Sequence, residues 1–190
     1  MLSVRIIWLC IAAVWLVAEI RLSRRSKSGQ QQIPPGAQHS ETWLWLSVGG
    51  SLLFALWFKT LAWLPLPLDY LLRQVLGCLL CLSGLGLRYW AVVTLGGFFS
   101  TQVVMIDQHQ LIMLGPYRLL RHPAYAGLLL ALAGVGLAMG DWLALLLLTV
   151  TPFCAFRARI RIEEKMLREK FGEAYAVYAK NTYKLLPLLY

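Results

Sequence analysis

The sequence predicts an all-α integral membrane protein of about five transmembrane helices, and three observations lead there. Hydrophobic residues make up 59% of the 190 and charged residues only 14%, too few to cover a water-soluble domain. The apolar residues fall into long runs of spanning or near-spanning length. The net charge of +9 is concentrated in particular connecting segments rather than spread evenly.

The elements follow in order. Val4 to Leu22 is the first span, broken by Arg5 near one end and Glu19 near the other, and it ends in Arg21, Arg24, Arg25 and Lys27. No small-residue cleavage site follows, so the segment reads as a retained anchor rather than a signal peptide. A polar loop at 23–42 carries Pro34-Pro35, and Ser40 or Thr42 suits the start of the next helix. Trp43 to Leu64 is the second span, closed by the proline-punctuated LPLPLD stretch. Tyr70 to Leu95 is the third, where Gly77, Gly84 and Gly86 are expected to let neighbouring helices approach closely.

Residues 96–123 are too irregular to span. Then come Ala124 to Met139 and Trp142 to Phe156, separated by Gly140-Asp141. At ~1.5 Å per residue each reaches about 22–24 Å, short of a hydrocarbon core of roughly 30 Å. The expectation is a helical hairpin at 124–156 whose second arm continues past Arg157 into a charged, amphipathic helix. The chain thus divides into 1–95, three spans with a basic loop, and 96–190, a mixed region that includes the hairpin.

Orientation follows from the basic residues. Four cations end the first span with no acidic residue before Glu41, and the tail from Arg157 onward has eight Lys/Arg against four Glu. The positive-inside rule then puts the N-terminus outside and segments 23–41, 96–123 and 157–190 in the cytoplasm.

Most site classes are excluded by pattern. Cys78-x-x-Cys81 lacks a second pair at metal spacing and reads as small apolar side chains, so no metal is expected. There is no phosphate-binding loop, no dinucleotide fingerprint and no Ser-His-Asp pattern. No inverted pair of broken helices points to transport. Nothing points to nucleic acid as a partner, whereas the lipid bilayer is one.

What remains is a dense polar stretch, GPYRLLRHPAYAG, at 115–127. Pro116 and Pro123 each suit the first turn of a helix, which puts His122 at the mouth of the fourth span. Arg118 and Arg121, three apart, are expected to share a face. An interfacial segment with snorkelling arginines and belt tyrosines accounts for the arginines and tyrosines but less well for His122-Pro123. In FRARIRIEEKML (156–167), Arg159 and Glu163 stand at ion-pair spacing. Arg157, Arg161 and Arg168 read as lipid-phosphate contacts. Arg88, inside an apolar helix, either snorkels or faces a cavity. Transfer of a group from a diffusible cofactor to a membrane-borne acceptor needs neither metal nor protein nucleophile, and suits such a set.

The stretch resembles the G-x-Y-x-x-x-R-H-P-x-Y-x-G signature of the isoprenylcysteine carboxyl methyltransferases, of which phospholipid N-methyltransferases share a looser version. His109-Gln-Leu-Ile resembles the family's H-x-L-V element. Arg159 with Glu163-Glu164, then Phe171-Gly172-Glu173-x-Tyr175, resembles its C-terminal pattern. The resemblance implies S-adenosylmethionine as cofactor, in a cytoplasmic pocket formed by the 96–123 segment and the C-terminal helix. It places that pocket on Gln102, the run His109, Gln110, Leu111 and Ile112, then Tyr117, then His122, Pro123, Ala124 and Tyr125, with Glu163 or Glu164 as the acidic member. Catalytic roles would fall on Arg159, Glu164 and Arg88, and the two arginines would also bind substrate. Carboxyl methylation of an isoprenylcysteine-like lipid or prenylated peptide is the activity implied. A phospholipid or other amine N-methyltransferase is the near alternative, and a non-catalytic scaffold binding anionic lipid the distant one. Where the family often has Asn and His after Gly97, this chain reads FFST, which bears on the acceptor. The acceptor itself and the oligomeric state stay open.

Overall fold

The computed structural model describes residues 2–26, 40–98 and 111–185. The described residues form six α-helices: α1 (Leu2–Ser26), α2 (Ser40–Leu61), α3 (Tyr70–Leu95), α4 (Pro123–Met139), α5 (Trp142–Phe171) and α6 (Glu173–Lys180). Short 3₁₀ turns lie at Gly96–Phe98 and Gly115–Arg118. Among the described residues, β structure is limited to two isolated bridges, Pro65 with Asp141 and Leu120 with Tyr183.

Helices α1, α2, α3 and α5 are long and apolar enough to cross a membrane, whereas α4 has 17 residues. It is the most enclosed element, wrapped by α3, α5 and part of α2, so it needs little lipid-facing surface of its own. Small residues explain how closely α3 and α4 approach. A Cβ at Gly84 would stand 2.5 Å from the Gly127 carbonyl oxygen, and one at Gly77 2.6 Å from that of Gly134. With no water to reward apolar burial in lipid, such tight backbone contact supplies the packing attraction. Gly86 does not share this role, because a Cβ there would meet nothing within 4 Å. It departs from the expectation because it lies on another face of α3.

The expected hairpin is present. Gly140 takes the left-handed conformation (φ 78°) that ends α4, and Asp141 starts α5 by accepting from Leu143 N (2.9 Å) and Ala144 N (3.3 Å). The other Asp141 oxygen accepts from Leu64 N at 3.1 Å, and Trp142 N donates to the Leu64 carbonyl at 2.8 Å. One buried carboxylate thus caps a helix and ties the α2–α3 connection to the hairpin tip. Helix α5 runs through Pro152 without ending, although the proline brings no N–H for the helical ladder. At 30 residues it extends about 45 Å, so its charged last third projects beyond the apolar layer.

Candidate active site at the mouth of α4

Pro123 occupies the first position of α4, and His122 precedes it as the N-cap. Lacking an N–H, the proline sits where none is needed, and its fixed φ starts the helix. The backbone before it is held by the C-terminal segment: Arg121 N donates to Tyr183 O (2.8 Å), His122 N to Lys184 O (3.1 Å) and Tyr183 N to Leu119 O (3.0 Å). His122 is therefore placed by a strand-like pairing from the far end of the chain. Arg118 is exposed and ends the 3₁₀ turn, whereas Arg121 turns inward. The shared face expected from their spacing does not form, because no helix connects them.

Four side chains converge below His122. Arg159 Nε donates to the Tyr125 hydroxyl at 2.6 Å and to Glu163 Oε1 at 3.2 Å, while the Tyr125 hydroxyl donates to the same Glu163 oxygen. The second Glu163 oxygen lies 3.4 Å from His122 Nδ1. The Tyr125 ring stacks between His122 (5.9 Å between centroids) and Phe156 (5.1 Å). Arg159 is 3% exposed, but the Glu163 side chain remains 22% exposed, so the cluster has one edge open to a ligand.

The adjacent glutamate has a different task. About 100° further round the helix, Glu164 accepts from Arg121 Nε at 2.9 Å and pairs with Lys184 at 3.2 Å. The Arg121 guanidinium also donates to Ala179 O (2.7 Å) and to the Thr182 carbonyl. These contacts form a latch between the α4 mouth, α5 and the tail. Tyr178 closes it, donating from its hydroxyl to the Tyr117 carbonyl at 2.8 Å.

Electrostatics follow from this geometry. Burial alone would lower the pKa of His122, but its hydrogen bond to the Glu163 carboxylate and the negative charges of Glu163 and Glu164 outweigh it and hold the pKa above the ordinary 6.5. Burial, reinforced by the field of Glu163, raises that of the Tyr117 phenol. His122 Nε2 is buried and has no hydrogen-bond partner among the described residues; Glu164 stands 3.7 Å away. An orphaned buried donor is costly unless something completes it.

Of the residues singled out by sequence, the structure brings His122, Pro123, Tyr125, Arg159, Glu163 and Glu164 together. Ala124 and Tyr117 pack with Ala91 alongside. Leu111 and Ile112 are half-buried in the irregular approach to the 3₁₀ turn. Gln102, His109 and Gln110 lie outside the described residues. Arg88 is buried but turned toward α1, where Glu19 takes its guanidinium at 2.5 Å (Nε) and 2.7 Å. Its remaining nitrogen lies 3.4 Å from the Ala124 carbonyl. Sequence reasoning missed Glu19 as its partner, and Arg121 as the centre of a latch. No cluster of His, Cys, Asp or Glu able to hold a metal occurs among the described residues.

Comparison with known proteins matches this region. The model of the isoprenylcysteine carboxyl methyltransferase (ICMT) family matches residues 75–169. A probable protein-S-isoprenylcysteine O-methyltransferase of Oryza sativa subsp. japonica is 36% identical over 124 residues, 64% of this chain and 64% of its own. The protein-S-isoprenylcysteine O-methyltransferase of Saccharomyces cerevisiae is 33% identical over 120 residues, 62% of this chain and 50% of its own. This chain thus spans less than two thirds of the length of these relatives. Among solved structures, the eukaryotic intramembrane Ras methyltransferase ICMT superposes with a TM-score of 0.57 at 26% identity, covering 82% of this chain and 54% of that one. The matched segment runs from α3 to the end of α5 and contains Arg88, the RHPAY mouth of α4 and the Arg159–Glu163–Glu164 cluster. The chain therefore belongs to the isoprenylcysteine carboxyl methyltransferase family.

Proposed function

We propose that this protein transfers a methyl group from S-adenosylmethionine to the carboxylate of a lipid-linked acceptor of the isoprenylcysteine kind, at a site facing the cytoplasm. The observation that carries this reading is the largely buried Arg159–Tyr125–Glu163 cluster beneath His122, where α5 leaves its apolar half. The family relatives, named as enzymes of this activity, support it.

The residues present fit the cofactor. His122 Nε2 has no hydrogen-bond partner among the described residues, and Glu163 has accessible carboxylate for an ammonium or ribose hydroxyl. S-adenosylmethionine, when bound, supplies an electrophilic methyl that an acceptor carboxylate oxygen takes as the carbon–sulfur bond breaks. No proton moves in that displacement, so the protein's work is alignment and exclusion of water. Arg159 would orient the acceptor carboxylate through its planar fork, a grip a lysine cannot reproduce. Tyr125 and Glu163 fix the guanidinium, and Phe156 keeps the floor dry. An amine acceptor would need no such arginine, which favours the carboxylate.

Calorimetric titration of the detergent-solubilised protein with S-adenosylhomocysteine separates enzyme from scaffold. Binding is expected, weakened roughly 5- to 150-fold in His122→Ala, equivalent to one buried hydrogen bond of about 1–3 kcal/mol. Absence of binding in the wild type, or unchanged affinity in both His122→Ala and Tyr125→Ala, would overturn the placement.

A further inference from the structure

Helix α1 meets the rest of the bundle through polar contacts more than through packed side chains, and only 6% of its most apolar stretch is buried. Trp8 Nε1 donates to Gln74 Oε1 at 2.7 Å, and Gln74 Nε2 donates in turn to the Ala138 carbonyl at 2.7 Å. Further along, Arg88 holds Glu19 through two nitrogens, and Trp15 Nε1 donates to the same carboxylate at 3.1 Å. These tethers keep α1 beside α3 without bringing their apolar surfaces together. A cleft of about 790 Å³ remains between the helices, within the range of roughly 300–1,000 Å³ that encloses small ligands.

Small residues make the space, and charge marks its mouth. Ala13, Ala18 and Gly86 line the cleft together with Val17, Leu82 and Leu85. In a membrane bundle small residues let two backbones close on one another, as Gly77 and Gly84 do against α4. Here they leave a gap, since a Cβ on Gly86 would meet nothing within 4 Å. An apolar space holds no water, and an empty one forfeits the contacts of every atom that lines it. Hydrocarbon is the filling a bilayer supplies. Glu19 and Arg88 neutralise each other inside the cleft, whereas Arg21 lines it and Arg24 follows one turn on. Both of these arginines are exposed, and neither forms an ion pair among the described residues. Tyr89 lines the cleft beside Arg88 and is 58% exposed, as suits a ring at headgroup level.

We infer that the α1–α3 cleft is a binding site for an anionic phospholipid of the surrounding bilayer, with an acyl chain between the helices and the phosphate against Arg21 and Arg24. The lipid supplies the apolar packing that α1 lacks, and its net negative charge offsets the two cations at the mouth. A zwitterionic lipid fills the same space but leaves those cations uncompensated. Glu19 and Arg88 keep their pairing throughout, so no lone charge is left in hydrocarbon. The site is independent of methyl transfer and asks nothing of Arg159.

The test uses the full chain in phosphatidylcholine nanodiscs doped with a trace of phosphatidylglycerol or phosphatidylcholine, each bearing the same diazirine acyl chain. Irradiation is expected to label Val17, Leu82 and Leu85 roughly 5- to 30-fold more with phosphatidylglycerol, about 1 kcal/mol for each of one or two arginines at a membrane surface. Leu53 and Phe54, exposed on α2, should label alike with both lipids. Equal labelling of the cleft by the two lipids, or the same preference at Leu53 and Phe54, would mean ordinary annular lipid and overturn the site. Arg21→Gln is expected to lower the cleft's preference roughly fivefold, and an unchanged preference would also overturn it. Gly86→Trp fills the cleft, so label at Val17 and Leu85 should be lost while label on α2 persists. Wild type should melt higher in phosphatidylglycerol than in phosphatidylcholine nanodiscs, and Gly86→Trp should melt alike in both; label or lipid dependence that survives the tryptophan would contradict the inference. Displacement of the label by excess prenyl thioether carboxylate would make the cleft an acceptor site instead and refute the phospholipid assignment.

Discussion

Replacing Arg121 with alanine tests the latch that positions the α4 mouth. The guanidinium side chain is 9% exposed and serves Glu164 Oε1 at 2.9 Å, Ala179 O at 2.7 Å and the Thr182 carbonyl. Hydrogen bonds involving a charged group contribute roughly 1.5–3 kcal/mol each, so three would total about 4.5–9 kcal/mol. Two effects reduce that sum. Lys184 stays 3.2 Å from Glu164, and Arg168 stays 3.9 Å away, so the carboxylate is not left alone. Water can also reach the tail once the side chain is gone. A net loss of about 3–5 kcal/mol remains, matching the cost of breaking one partner out of a buried ion pair. For a chain of this size that corresponds to a fall in Tm of roughly 10 °C. Thermal unfolding in detergent, followed by tryptophan fluorescence, measures it, and limited proteolysis should show earlier cleavage across residues 172–185. Arg121→Lys should be intermediate, because an ammonium cannot span three acceptors. An Arg121→Ala protein melting within about 2 °C of wild type would refute the latch.

Other outcomes follow from the same geometry. Arg159→Lys keeps the charge but loses the fork, so turnover should fall ~100-fold with cofactor affinity nearly constant; Arg168→Lys, on the exposed side of α5, should turn over normally. Gly84→Ala should destabilise by about 1–3 kcal/mol, since its Cβ would stand 2.4 Å from Ala131 N, whereas Gly86→Ala should not. The raised pKa of His122 makes its stabilising contribution complete below about 6.5 and lost as pH rises through the higher folded value. Melting temperature should therefore decline over that window in the wild type and stay flatter in His122→Gln; parallel profiles would contradict the assignment. In intact cells an impermeant thiol reagent should modify Trp63→Cys but not Lys165→Cys, and the reverse would invert the orientation.

Much of the fold was legible because membrane spans announce themselves by length and composition. The turn at Gly140-Asp141 could be read because a left-handed glycine followed by a capping aspartate is a local signal. What Asp141 does with its second oxygen could not, since Leu64 lies 77 positions away. Gly77, Gly84 and Gly86 look alike in sequence, and only the rotation of α3 about its axis separates two packing glycines from one that faces a cleft. The site behaved similarly. Arg159 and Glu163 were readable from helical spacing and Tyr125 from its motif, because each signal is local. The latch was hidden because it depends on residues 182–184, a polar tail with no pattern of its own. Glu19 carried a usable signal: opposite charges in two apolar spans, each at the same depth from its C-terminal end, invite pairing.

The central claim is that the methyl acceptor is a carboxylate oxygen, and the chemistry of the product bond tests it most directly. The protein is incubated with methyl-labelled S-adenosylmethionine and a prenylated cysteine bearing a free carboxylate, and the extracted lipid product is treated with alkali. A methyl ester hydrolyses and releases labelled methanol, which is the predicted result. Label that stays in the lipid fraction through alkali would mark an N-methyl bond and contradict the assignment, as would the absence of lipid-borne label while S-adenosylhomocysteine still binds.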